Sequence, residues 1–84
     1  MRVAVEFVGT RRGMPLAAAP GSLVIVEASD DGLVLYASED LATWVPVVSG
    51  PVQGHAFFSP GRHYEWRCEQ YGGEPVTASI EIQE

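Results

Sequence analysis

Two histidines, one cysteine and a short run of carboxylates are the residues of this chain whose types could combine into catalysis or metal binding. His55 and His63, taken with Cys68, match neither a Cys-x-x-Cys nor a His-x-x-x-His ligand spacing. Cys68 could act as a nucleophile only if it were exposed beside a base. Its alternation with Tyr64 and Trp66 instead puts it inside, as a structural thiol. Glu65 and Glu69 fall on the opposite strand face, with Arg67 between them. Carboxylates on a strand face are usually solvated, and an acid–base pair needs a cleft that perturbs one pKa. Gly72-Gly73 has no lysine and no helix start after it, so it is no phosphate loop. The pattern predicts no enzyme, no metal and no cofactor, with both histidines exposed on strands.

These residues need elements to hold them, and composition limits the choice. The chain has 84 residues, 46% of them hydrophobic, which predicts a single domain spanning residues 1–84 with enough apolar mass for a core. A domain of this size buries only ~60–65% of its unfolded surface, so each large apolar side chain counts. Val is abundant and Gly and Pro recur at short intervals, which favours short strands over helices. The net charge is −6, from 11 acidic residues and 5 arginines. There is no basic stripe, so a nucleic-acid partner is not expected. A single cysteine excludes an intrachain disulfide and suits a reducing compartment. The N-terminus alternates and carries Glu6 early, unlike a signal peptide. No apolar run is long enough to span a bilayer. A soluble protein made in the cytoplasm, away from membranes, is the expectation.

Taken in order, the chain predicts strands at Arg2–Val8, Ser22–Ala28, Leu33–Ser38, Thr43–Val48, Val52–Phe58, Arg62–Tyr71 and Val76–Ile82. Met14–Ala19, hemmed in by Pro15 and Pro20, is irregular or a short extra strand. The run Leu23-Val24-Ile25-Val26 reads as a central strand. Pro46 marks an edge strand, and Gly54 a bulge. Asp30-Asp31-Gly32 is a hairpin-type signal. On Arg62–Cys68, Tyr64, Trp66 and Cys68 face inward, while His63, Glu65 and Arg67 face out. Seven strands with a turn about every ten residues predict an all-β, antiparallel two-sheet sandwich.

Phe58-x-Pro60-Gly61-x-x-Tyr64-x-Trp66-x-Cys68 resembles the E–F corner of fibronectin type III domains, a branch of the immunoglobulin-like sandwiches. The resemblance implies a tyrosine corner: the Tyr64 hydroxyl bonds back to the backbone where Pro60-Gly61 crosses between sheets. It also implies the seven strands in the order A, B, C, C′, E, F, G, with A, B and E in one sheet and C, C′, F and G in the other. Strand B lacks that family's tryptophan, and no B–F cysteine pair exists. Ser38-Glu39-Asp40-Leu41-Ala42-Thr43-Trp44 is similar to an Asp-box hairpin, one residue short and with Ala42 for the glycine. The plainer reading is a hairpin in which Ser38 or Asp40 bonds turn amides.

Leu41–Gly61 and Gly13–Val26 contain no Asp, Glu, Lys or Arg. An edge strand turns only one face inward, so Trp44 or Val45 should lie outside, and a contiguous apolar patch marks an interface. The expected contact set is Trp44, Val45 and Val47 with Arg11, Arg12 and Met14 of the loop 10–14. Charge is expected to sort by end: Arg11, Arg12 and Arg62 with Glu39 and Asp40 at one, Asp30, Asp31 and Glu74 at the other. The expected function is a non-enzymatic structural or binding module. It is similar in kind to the small accessory proteins of tailed-phage particles, which decorate capsids or build tails and baseplates. That similarity implies capsid or tail proteins, or further copies of the chain, as partners, and the virion as destination. The alternative is a carbohydrate-binding module stacking Trp44, Tyr36 or Tyr71 on sugars. A third reading is an enzyme inhibitor that uses the acidic end.

Overall fold

A computed structural model describes all residues, 1–84. Nine strands form, and no helix: β1 (Arg2–Phe7), β2 (Arg11–Arg12), β3 (Leu16–Ala18), β4 (Leu23–Ala28), β5 (Leu33–Ser38), β6 (Val45–Ser49), β7 (Val52–Phe58), β8 (Arg62–Cys68) and β9 (Val76–Gln83). One antiparallel sheet has the order β1-β9-β4-β7. The second runs β2-β8-β5-β6, with β3 also on β8. The chain is therefore an all-β protein of two packed sheets.

Two of the nine strands lie outside the seven expected, β3 being the short extra strand allowed for within Met14–Ala19 and β2 unforeseen, and they explain a change in topology. β2 sets Arg11 and Arg12 against Cys68 and Arg67, and β3 sets Leu16–Ala18 against Tyr64, His63 and Arg62. Together they fill one edge of β8, while β5 fills the other. A strand has only two edges, so the last strand cannot lie beside β8 as the resemblance implies. β9 instead pairs with β1 and β4 in the opposite sheet. There it buries Val76, Ala78, Ile80 and Ile82 on its inner face. Gly13 keeps β2 and β3 on one line: its amide donates to the Trp66 carbonyl at 2.7 Å. A Cβ at Gly13 would lie 2.7 Å from that oxygen, so only glycine allows the approach.

Three other expectations hold, and one does not. β4 is central, between β9 and β7. β6 is an edge strand, with Pro46 opposite Tyr36. Between Val26 and Ala28 the β4–β7 register shifts, and Gly54 takes φ +65°, a bulge built on a left-handed glycine. Asp30-Asp31-Gly32 does not close a hairpin. It carries the chain from β4 in one sheet to β5 in the other, and Asp30 Oδ1 accepts the Gly32 amide at 3.0 Å.

The core fills the gap between the sheets. Phe7, Val24, Val26 and Ile80 come from one layer, and Leu33, Leu35, Tyr64, Trp66 and Cys68 from the other. Trp66 crosses the gap, its Nε1 donating to the Ser79 carbonyl at 3.0 Å. The Pro60-Gly61 corner does carry the chain from β7 to β8 across layers. Tyr64 is buried and pins it, but not by the backbone bond expected. Its hydroxyl donates to Ser59 Oγ at 3.3 Å. That oxygen also accepts the Gly61 amide at 3.0 Å and donates to the Ala18 carbonyl at 3.0 Å. The Ser59 amide donates to Ser22 and its carbonyl accepts from Gly21, each at 2.8 Å. Ser59 intercepts Tyr64 because a serine two residues before a glycine amide already turns its hydroxyl into the corner.

Ser59→Ala leaves three groups at the corner without their partner, whereas Tyr64→Phe removes one donor. Urea unfolding should give a loss of about 2–3 kcal/mol for the first and about 1 kcal/mol for the second. Equal losses, or a larger one for Tyr64→Phe, would contradict the hub.

Candidate functional site

The outer face of the five-stranded sheet gathers a cluster of charged and aromatic side chains. β8 presents Glu65 and Arg67 there, β5 sets Tyr36 opposite Glu65, and β2 sets Arg12 opposite Arg67. Trp44 arrives from the β5–β6 turn. Ser38 Oγ accepts the amides of Asp40 and Leu41 at 3.3 and 2.9 Å. Asp40 Oδ1 accepts those of Ala42 and Thr43 at 2.9 and 2.8 Å. Both residues thus serve the turn. The Thr43 and Ala42 amides hold the Asp40 carboxyl below its usual range. Leu41 takes φ 64°, and the Trp44 Nε1 donates to its carbonyl at 3.2 Å. This folds the indole back over the sheet, 5.4 Å from the guanidinium carbons of Arg12 and Arg67. Arg67 also lies over the Tyr36 ring at 4.1 Å.

Glu65 faces outward as the alternation predicts, yet it is not solvated. Its side chain is 1% exposed. Arg12 grips the carboxylate through Nε at 2.8 Å and Nη2 at 3.2 Å, and Arg67 Nε adds a contact at 2.6 Å. Burial by itself would push the Glu65 carboxyl up. The hydrogen bonds and charges of the two arginines outweigh it and hold the group below 4.5. Such a carboxylate stays ionised and cannot act as a proton donor near neutrality. Next to it, the Tyr36 hydroxyl donates to Glu69 Oε2 at 2.5 Å, and that bond, with burial, raises the phenol's pKa. The layer is a clasp tying β2, β8, β5 and the β5–β6 turn together. It also occupies one face of both Tyr36 and Trp44 with guanidinium, while Tyr71 packs against the core. Sugar stacking on these rings gains no support from that arrangement.

The second candidate is the rim where β6, the edge of one sheet, meets β7, the edge of the other. Val45 and Val47 are 48% and 42% exposed, and Phe58 is 72% exposed. A groove of about 270 Å³ lies between the two edges, lined by Val47, Val48, Phe57 and Pro60 with His55 and Arg62.

The expected contact set is divided by this geometry. Trp44 and Arg12 do meet, on the clasp. Val45 and Val47 lie on the β6 edge, while Met14 is exposed between β2 and β3 on the opposite edge. Those edges stand three strand spacings apart, roughly 14 Å. Arg11 pairs with Cys68, bonds the Glu6 carbonyl at 3.1 Å and covers the Phe7 ring at 4.7 Å. Charge does not sort by end as expected. β2 pairs with the last residues of β8, which brings Arg11 to the end where Leu33 leaves the Asp30 turn. Arg62 is at the other end, 3.8 Å from Glu39.

The remaining chemistry-bearing residues are scattered. His55 and His63 occupy β7 and β8, in opposite sheets. His55 is exposed, but His63 is half-buried and its Nδ1 has no hydrogen-bond partner. Cys68 is buried, and its thiol is pushed up by that burial and by Asp30. No group of three or more His, Cys, Asp or Glu side chains is close enough to hold a metal ion. Compared with known proteins, the chain matches no family model, no curated protein and no solved structure.

Sequence reasoning missed the burial of Glu65 and the role of Ser59. For Ser59 a signal was present, the serine set two residues before Gly61 in Ser59-Pro60-Gly61. For Glu65 the only hint was a carboxylate with Arg67 on the same strand face; the second grip, from Arg12, needs the β2–β8 pairing.

Because the Glu65 carboxyl sits lower in the folded chain than in the unfolded one, its contribution is complete above about pH 4.5 and fades as pH falls through the lowered value. Glu65→Gln should cost about 1.5–3 kcal/mol at neutral pH and should flatten the stability lost between about pH 5 and pH 3. Urea unfolding across that range checks both. An unchanged pH slope in the variant would show that other carboxylates carry it.

Proposed function

We propose that the protein is a non-enzymatic binding module that docks another protein along the β6–β7 rim. The observation that carries this reading is the rim itself. In a chain of net charge −6, residues 41–61 hold no charged side chain, and they leave Val45, Val47 and Phe58 exposed beside two unpaired strand edges. Apolar surface flanked by free main-chain groups suits a protein partner that adds a strand or seats side chains in the groove. The clasp serves this rim by holding the β5–β6 turn rigid, so Trp44 and Arg12 act as positioning residues. Arg11 and Met14 lie outside the docking surface.

In its most specific form, the reading keeps the setting suggested by the sequence, a symmetric protein lattice such as a tailed-phage capsid or tail. A small module with one carboxylate-free rim in a chain of net charge −6 fits a place on such a lattice. The same rim could accept a second copy, which sedimentation distinguishes. The acidity of the chain continues to weigh against nucleic acid.

Val45→Lys with Val47→Lys should change stability by no more than about 0.5 kcal/mol, because both side chains are exposed. The same pair should abolish binding to the partner lattice in co-sedimentation, or shift the protein to monomer if the partner is a second copy. Arg2→Ala with Glu27→Ala, an ion pair of the other sheet, should change neither. Unimpaired binding by the rim variant would overturn the proposal.

A further inference from the structure

The rim groove has a charge character opposite to that of the whole chain. Its lining contains one charged side chain, Arg62, together with His55 and the Tyr64 phenol; no carboxylate lines it. Arg62 is also incompletely satisfied. Its Nε is buried and has no hydrogen-bond partner. The nearest carboxylate oxygen, on Glu39, is 3.8 Å away, beyond hydrogen-bond range, on a side chain that is 77% exposed. A buried guanidinium donor without an acceptor is costly to keep. The Arg62 side chain as a whole is 34% exposed and lines the open groove, so an entering acceptor meets the rest of the guanidinium rather than the buried Nε. The other arginine of this sheet that sits deep, Arg67, is in contrast bonded through Nε to Glu65.

Resting on the rim reading above, we propose that the segment docked there is extended and carries a carboxylate, an Asp or Glu side chain, that bonds Arg62. Its neighbouring apolar side chain fills the space between Val47, Val48, Phe57 and Pro60. The segment runs along the free edge of β7, where main-chain groups are unpaired. Two features select a carboxylate over a neutral acceptor. Arg62 makes charge-assisted bonds, which are shorter and stronger than neutral ones. Glu39 already stands in the second rank with the same chemistry, held at a distance and easily displaced. A basic segment would instead bring like charge to Arg62.

The probe is a fluorescein-labelled peptide of alternating valine and threonine with one central glutamate, compared with versions carrying glutamine or lysine there. Fluorescence anisotropy is read with the full chain. The glutamate peptide should bind at least tenfold more tightly than the lysine peptide. Arg62→Gln should erase that preference, and Glu39→Gln, which removes the competing carboxylate, should strengthen binding of the glutamate peptide severalfold. The Glu39 variant keeps the test open should Arg62→Gln fold poorly. Peptides that bind equally well, yet are lost from Val45→Lys with Val47→Lys, would overturn the charge preference and leave the rim reading standing. Failure of every peptide to bind would overturn the extended acidic segment, and the rim would then rest on the lattice experiment alone.

Discussion

One hydroxyl oxygen, Ser59 Oγ, meets three partners at the point where the chain changes sheets. Everything downstream depends on that geometry. The bonds to Ala18, Gly61 and Tyr64 join the end of β3, the corner and the start of β8 in one buried node. With β3 tied there, β8 has its second edge occupied, and the final strand is sent to the other sheet. The main-chain bonds from Ser59 to Gly21 and Ser22 bring the two turns on either side together, so the crossing is held from both directions. A domain of this size has little apolar surface to spare, and a satisfied polar node of this kind gives the layers a unique alignment that hydrophobic packing alone would leave loose.

The second polar concentration does a different task. Glu65, Arg12 and Arg67 form a buried ion cluster, and such clusters add more to structural uniqueness than to net stability. Here the cluster spans the sheet. It fixes the short β2 strand, which has few other contacts of its own, and carries the Trp44 indole on its arginines. The result is an outer face on which the Glu65 carboxylate accepts from both Arg12 and Arg67. The rim between β6 and β7 has the reverse character: apolar, uncharged along its strands, with a single donor left over on Arg62.

Much of this was readable from residue order. The alternation of Tyr64, Trp66 and Cys68 placed them inside, Pro46 marked an edge, Gly54 marked a bulge, and Pro60-Gly61 marked the crossing. Those features are local, set by one residue's dihedral limits or by period-two burial. What order did not reveal was pairing. Arg11-Arg12 is too short to show alternation, and Gly13-Met14-Pro15 conceals that β2 and β3 share one line along β8. From that single omission came the misplaced last strand, the misjudged charge distribution and the apparent solvation of Glu65. A carboxylate on an outward face is exposed only when nothing lies above it, and the residues above it come from distant parts of the chain.

The bulge at Gly54 limits what the β7 edge can offer. Beyond it the register shifts, so the regular edge available to an incoming strand is confined to the residues from His55 to Phe58, a length of only ~13 Å. So short a purchase gives a weak individual grip. On the lattice reading proposed above, strength comes from number: many modules held at once on a repeating array, each able to detach alone while the whole stays attached through avidity.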